Sequence, residues 1–389
     1  MRRCKFANIH SLNNKIILPK KQCLSGTFLQ YSTLFVAMIV LVQSCKVNTY
    51  QNSPKKNSTK VKNVILLIGD GMGLSQIQAA LFKSRDKLNM LNCDAIGLMK
   101  TPTIDGKIAD SAASGTAMAT GKKTESGYIG ELPDGVKPKN IIEFLEDKNY
   151  ATGLVSTSAI TDATPASFVA HQPCRGFYEE IANDIANSGL DVIIGGGKKH
   201  FTHRRDAVNL IDIFEIKGFS VTYDLKSTLK TEKPKLLALL ADEHLPKKSE
   251  GRKNMLSKTT TKAIELLAKN EKGFFLMVEG AQIDWAGHEN DADYLCNEVI
   301  DFDKAVGAAL KFMRSNPNTL VIVTSDHETG GMIVKDGNYS TGKYSAIFTT
   351  RRHTPLMVPV FAFGPQSENF IGVYNNTDIF KKLKNIYGF

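Results

Sequence analysis

The sequence predicts an α/β protein: a three-layer sandwich in which a central, mostly parallel sheet is covered by helices on both faces. Three observations carry that prediction. Unbroken apolar runs such as Val64–Ile68 and Leu320–Thr324 alternate with stretches of helical character, and strands buried on both faces read as continuous apolar runs. Three of those runs end close to a carboxylate, at Asp70, Glu279 and Asp326, and ligands of such sheets gather at the carboxyl ends of the strands. A length of 389 residues with 42% hydrophobic content supplies a core for one large domain or two average ones and excludes a disordered chain.

Charge divides the chain before any element is assigned. The net charge of +10 invites a nucleic-acid partner, but residues 1–62 hold 11 Lys/Arg and no Asp/Glu, leaving 38 basic against 39 acidic residues in 63–389. The basic excess therefore belongs to the N-terminal segment, and no nucleic-acid-binding face is expected. Within that segment Lys20 and Lys21 precede the apolar run 33–42 and Gln43-Ser44-Cys45. The run is too short for a permanent membrane span and reads as a signal-peptide core. Residues 1–45 are read as a signal peptide ending in a lipoprotein-type cysteine, with Cys45 lipidated. The same features also fit an ordinary secretory signal in which Cys45 is incidental. Each buried acyl methylene contributes about 0.8 kcal/mol, enough for a multiply acylated Cys45 to hold the chain at a membrane. The expected location is exported, at the periplasmic or cell-surface face. Residues 46–62, rich in Asn, Ser, Thr and Lys, read as a flexible tether. Only Cys93, Cys174 and Cys296 follow it, so at most one disulfide is available and the fold must stand on its core.

In residues 63–389 the expected order is strand Val64–Ile68, helix around Ala79–Phe82, strand Gly153–Ser156, helix Ala163–Ala170 and strand Asp191–Ile194. It continues with helix Ser257–Ala268, strand Phe274–Val278, helix Asp291–Met313, and strands Leu320–Thr324 and Val358–Phe363. Each strand is an apolar run bounded by polar or glycine residues, and each helix carries apolar residues at three- and four-residue spacing. No repeat interrupts the series.

Chemistry-bearing residues cluster at the ends of these elements. Asp70 lies between Gly69 and Gly71, where the backbone turns sharply and leaves the carboxylate bare, although Asp-Gly is equally a common turn. Asp326 and His327 place two ligand types side by side at a strand end. Asp284 and His288 are four residues apart, hence on one face if the turn is helical, and a carboxylate with an imidazole suits zinc. Ser111 directly follows Asp110 and opens the small-residue stretch Ala112-Ala113-Ser114-Gly115-Thr116-Ala117, suited to a tightly packed helix; it is the candidate nucleophile. His10, His200, His203 and His244 are read as structural.

Taken in order, these stretches resemble the alkaline phosphatases, and the resemblance runs from Val64 to the C-terminal stretch ending at Asp378. It implies a homodimeric hydrolase of small-molecule phosphate monoesters, suited to phosphate scavenging. The resemblance further implies two zinc ions (Zn2+) and one magnesium ion (Mg2+) in each chain. Matched residue by residue, it implies one zinc on Asp284, His288 and His353, and a second on Asp70, Asp326 and His327. Asp70 would also reach the magnesium, which takes Thr164 and Glu279, with Asp162 acting through water. Ser111 would be phosphorylated, and Arg175 would bind the phosphoryl group. Trp285, the only tryptophan, stands where relatives carry lysine or histidine, and with no positive charge it should retain product phosphate less tightly.

Other members of the same superfamily share the architecture, so the fold does not select the reaction. The Cys/Ser-x-Pro-x-Arg setting of sulfatases is missing around Ser111, and Asp162, Thr164 and Glu279 supply a third metal position that phosphodiesterases lack. Loss of any one of these residues would have favoured a catalytically silent phosphate- or metal-binding lipoprotein, and none is lost. The stretch between Glu328 and His353 is short, which predicts an open cleft.

Overall fold

The computed structural model describes residues 60–389; the apolar run 33–42, Cys45 and the 46–62 segment as far as residue 59 lie outside the described residues. Packing begins at Val61, which is buried, and Lys62 N–H donates to Asn318 O at 2.9 Å. The last residues of the expected tether thus belong to the folded body.

Fourteen strands are present among the described residues: β1 Asn63–Gly69, β2 Ala95–Lys100, β3 Ala151–Ala159, β4 Val192–Gly196, β5 Ser220–Thr222, β6 Leu236–Leu239, β7 Phe274–Gly280, β8 Thr319–Thr324, β9 Glu328–Thr329, β10 Met332–Asn338, β11 Lys343–Phe348, β12 His353–Thr354, β13 Val358–Phe363 and β14 Gly372–Asn375. Ten of them form one sheet in the order β14-β2-β13-β8-β1-β7-β3-β4-β6-β5. β1 lies inside it, parallel to both β7 and β8. Its sequence NVILLIG has six of seven residues buried. Successive side chains go to opposite faces: Val64, Leu66 and Ile68 join one core, Ile65 and Leu67 the other. The first core is closed by the helices Ser111–Thr120, Tyr178–Asn187 and Thr377–Tyr387, the second by Leu74–Lys83, Met255–Leu267 and Ala292–Ser315. This is the three-layer arrangement expected from the sequence.

One local expectation is corrected. The helix expected over Ala163–Ala170 keeps its form only across Ala163–Ala166. Beyond Pro165 the backbone tightens to three-residue turns, with Phe168 N–H on Pro165 O and Val169 N–H on Ala166 O. Val358–Phe363 is a strand, but it runs antiparallel to both neighbours, β2 and β8. β2 and β14 carry no clear signal because β2, AIGLMK, is half-exposed and interrupted by Gly97. That glycine is required: a Cβ there would lie 2.2 Å from Phe370 O. The short stretch between Glu328 and His353 folds into the β10–β11 hairpin, which leans on the Leu74–Lys83 helix through Phe82 and Tyr339, ring centroids 4.4 Å apart.

Candidate active site

The register of the three central strands assembles the site. Ile68 of β1 pairs with Glu279 of β7 on one side and Thr324 of β8 on the other, so Asp70, Glu279 and Asp326 emerge together at one end of the sheet. Glu279 is the penultimate residue of its strand, not the first residue beyond it. All three are buried, at 5%, 1% and 0% exposure.

Ser111 is the first residue of its helix, and Asp110 caps it by accepting from Ala113 N–H at 3.0 Å. Every residue of this helix is buried. Its small side chains permit close contact: a Cβ on Gly115 would stand 2.9 Å from Ser167, and Ser114 Oγ donates to Asp326 O at 2.7 Å. Ser111 Oγ is thereby held 3.3 Å from Asp70 Oδ2 and 3.3 Å from His327 Nε2.

Two groups of potential metal ligands meet here, Asp70, Asp326 and His327, and Asp284, His327 and His353. His288 joins the second. The Gln282–Glu289 helix sets it one turn from Asp284, with Nε2 3.3 Å from Asp284 Oδ2 and 3.2 Å from His353 Nε2. The tautomers decide what this closeness means. His288 Nδ1 faces Arg351 O at 2.7 Å and His353 Nδ1 faces Ala109 O at 2.9 Å. A carbonyl only accepts, so in the neutral rings both Nδ1 atoms carry the proton and both Nε2 lone pairs point at each other. A shared cation relieves that repulsion, and a backbone carbonyl behind each ring is the usual support of a ligating histidine. Asp70 Oδ1 and Asp326 Oδ2 are buried without a hydrogen-bond partner, so acceptors are left over where donors are missing. This donor set fits zinc.

A third group stands on the other side of Asp70. Asp70 Oδ2 accepts from Thr164 Oγ1 at 3.4 Å, and Glu279 accepts from Ser156 Oγ and, at 3.3 Å, from Ser158 Oγ. Asp162 caps the Ala163–Ala166 helix through Ala163 N–H at 2.8 Å. These all-oxygen donors suit a hard cation such as magnesium. Arg175 spans the rim, with Nη1 3.1 Å from Asp110 Oδ2 and Nη2 3.4 Å from Asp162 Oδ1.

The electrostatics are those of an anion-rich cavity. Burial, then Asp326, Asp284 and Glu279, holds the Asp70 carboxyl far above its ordinary range. Burial and then Asp162 push Glu279 up to about 8. Burial opposes ionisation of Asp284 as well, yet His288 and His353 hold it far below the usual carboxylate range. His288 rises to about 9, chiefly through its hydrogen bond to Asp284.

The sequence reading missed the supporting layer. Thr329 Oγ1 donates to Asp284 Oδ1 and stands 3.2 Å from His327 Nδ1. Glu328, 2% exposed, accepts from Gln76, from Thr354 and from the Gly331 and Met332 N–H groups. It thus locks the two-residue β9–β12 ladder that sets His353 opposite Thr329. Serine and threonine next to ligands carry no sequence signal of this kind. His244, read as structural, stands 4.0 Å from Asp162 Oδ2 beside Trp285. His171 lies elsewhere, bonded to Gly130 O and Glu143. Cys93, Cys174 and Cys296 are all free thiols.

Fold and site together define a metal-binding hydrolase built on a mostly parallel sheet covered on both faces. A family model described as alkaline phosphatase matches residues 61–351. Alkaline phosphatase 3 of Bacillus subtilis is 40% identical over 342 residues, covering 83% of this chain and 73% of that protein. The alkaline phosphatase of Escherichia coli is 33% identical, over 84% of this chain and 86% of its own length. The solved alkaline phosphatase from the Antarctic bacterium TAB5 superposes with a TM-score of 0.80 at 43% identity, covering 85% of this chain and 99% of that one. A mutant of that protein has been solved with Mg bound in the M3 site. The chain belongs to the alkaline phosphatase family, the phosphoric monoester hydrolases.

The charge pattern predicts a pH-dependent need for cations. The folded pKa of Glu279, about 8, lies above its ordinary 4.5, so between those values the metal-free folded state keeps a proton the unfolded chain has released. Stability of metal-stripped protein should fall as pH rises from about 4.5 to 8 through Glu279, and His288, raised from 6.5 to about 9, extends the fall to about pH 9. Thermal unfolding of stripped and zinc- and magnesium-loaded protein at pH 5, 7 and 9 checks this: the gap between them should widen with pH.

Proposed function

We propose that the chain hydrolyses phosphate monoesters through a phosphoserine at Ser111, in a site of two zinc ions and one magnesium ion. The observation that carries this reading is the pair of Nε2 atoms, on His288 and His353, that face each other among buried carboxylates close to the Ser111 hydroxyl. One zinc would be held by Asp284, His288 and His353, the other by Asp70, Asp326 and His327, and magnesium by Asp70, Thr164 and Glu279 with Asp162 through water. The cations, when bound, would favour the Ser111 alkoxide and offset charge on the phosphoryl oxygens.

The chain's own residues supply the rest. Asp70 Oδ2 is the acceptor toward which the Ser111 hydroxyl points. Ser111 Oγ forms a bond to phosphorus while the bond to the leaving oxygen breaks, and that oxygen departs with the electron pair and gains a proton. Water then attacks the phosphoseryl group, releasing inorganic phosphate and restoring the hydroxyl. Arg175, kept protonated against burial by Asp162 and Asp110, offers its planar fork to two phosphoryl oxygens. Asp110 accepts from Nη1 and Asp162 from Nη2, which together set the plane of that fork.

Export as a lipoprotein anchored at Cys45 and a role in phosphate scavenging complete the proposal, together with a homodimer. The apolar run followed by Cys45 and the basic N-terminal segment support export.

Turnover of p-nitrophenyl phosphate should exceed that of bis-p-nitrophenyl phosphate at alkaline pH. Ser111→Ala should lower the former on the order of 10³-fold or more, as should removal of the metals. Preference for the diester would place the chain among phosphodiesterases. Trp285→Lys adds a cation beside the Asp162 side of the site, and inorganic phosphate should then inhibit at lower concentration; an unchanged inhibition constant would remove the role given to Trp285.

A further inference from the structure

A row of rings borders the site on the Asp162 side. Trp285 directly follows Asp284 and is half-buried. His244 meets its indole edge to face, with centroids 4.7 Å apart at 79°. Ala159 N–H donates to His244 Nδ1 at 3.0 Å, which fixes the ring 4.0 Å from Asp162 Oδ2. Asp162 turns its other oxygen to Arg175. Just past Arg175, Tyr178 opens the Tyr178–Asn187 helix and stacks on His200, centroids 4.8 Å apart at 19°. Burial and then the Asp162 carboxylate push the Tyr178 hydroxyl up. The short helix Lys198–Thr202 that carries His200 is tied to the segment of His244 where its N-cap Gly197 N–H donates to Glu243 O at 2.6 Å.

All four rings are half-buried, so each keeps some surface toward solvent. A path of side-chain contacts runs from Asp110, the residue before Ser111, through Arg175 and Asp162 to His244 and Trp285. The phosphoryl group occupies the inner end of that path in the reading above, and its leaving group must extend outward. We infer that the Trp285–His244 pair forms a leaving-group subsite that favours monoesters of planar aromatic alcohols, such as aryl phosphates, over those of small alkyl alcohols. The inference rests on the monoesterase reading and adds the substrate class. Ring contacts of this kind are worth roughly three- to tenfold in binding.

Phenylphosphonate and methylphosphonate share the anionic head and differ only in the group that would touch the rings. With zinc- and magnesium-loaded protein, phenylphosphonate should inhibit p-nitrophenyl phosphate hydrolysis about tenfold more tightly than methylphosphonate. It alone should change the emission of Trp285, the single tryptophan of the chain. Trp285→Leu and His244→Ala should each draw the affinity ratio toward one. A ratio unmoved by either variant, or equal weakening of both probes, would mean that the rings only position Asp162 and would overturn the subsite. The emission measurement uses the unaltered protein, and an unchanged signal at saturating phenylphosphonate would overturn it as well. Loss of the monoesterase reading is distinct: then neither phosphonate binds and p-nitrophenyl phosphate is not turned over.

Discussion

Several buried carboxylates share one small volume at the end of the sheet, and the arrangement of the molecule follows from keeping them there. Asp70, Asp326, Asp284 and Glu279 are nearly excluded from solvent, where a charge without a partner is costly. Few cationic side chains face them. Arg175 reaches Asp110 and Asp162 at the rim, while the histidines give Asp284 its counter-charge only if they are protonated. Protons and metal cations are the two ways to balance such a cluster. The carbonyls behind His288 and His353 favour the second, because they orient both rings with the Nε2 lone pairs inward.

Parallel strands make that concentration of charge possible. β1, β7 and β8 are apolar through their centres, with Asn63 and Thr319 bonded to each other at the amino end, and their carboxylates gather at the shared carboxyl end. The Ser111–Thr120 helix then approaches closely because its residues are small, and Asp110 serves at once as its cap and as a partner for Arg175. Glu328 performs a comparable service for His353 by pinning β9, β12 and the Leu74–Lys83 helix together. Both are side chains whose hydrogen bonds hold backbone segments rather than substrate.

What could be read from the sequence was what local periodicity encodes. The central strands, the long helix after Asp291 and the one-turn spacing of Asp284 and His288 all follow from short-range pattern, and the structure has them. Strand direction does not: the antiparallel course of β13 depends on the connection from β12, and its apolar sequence is the same either way. The half-exposed β2 and the three-residue turns after Pro165 were hidden for a similar reason, since neighbours far along the chain decide them. The supporting residues escaped because serine, threonine and backbone carbonyls are everywhere; Ser156, Ser158, Thr329 and the carbonyls of Ala109 and Arg351 acquire meaning only through contacts across the fold. The approach of His244 to Asp162 was hidden as well, since the two lie far apart along the chain and close in space.

Cations complete an otherwise uncompensated cluster of buried carboxylates. Counting them is the most direct test: metal-stripped protein is titrated with zinc and then magnesium at pH 8, with bound metal measured by elemental analysis and heat of binding. Two zinc ions followed by one magnesium ion per chain is the predicted result. A fully folded chain that binds no zinc, or one zinc only, would contradict it.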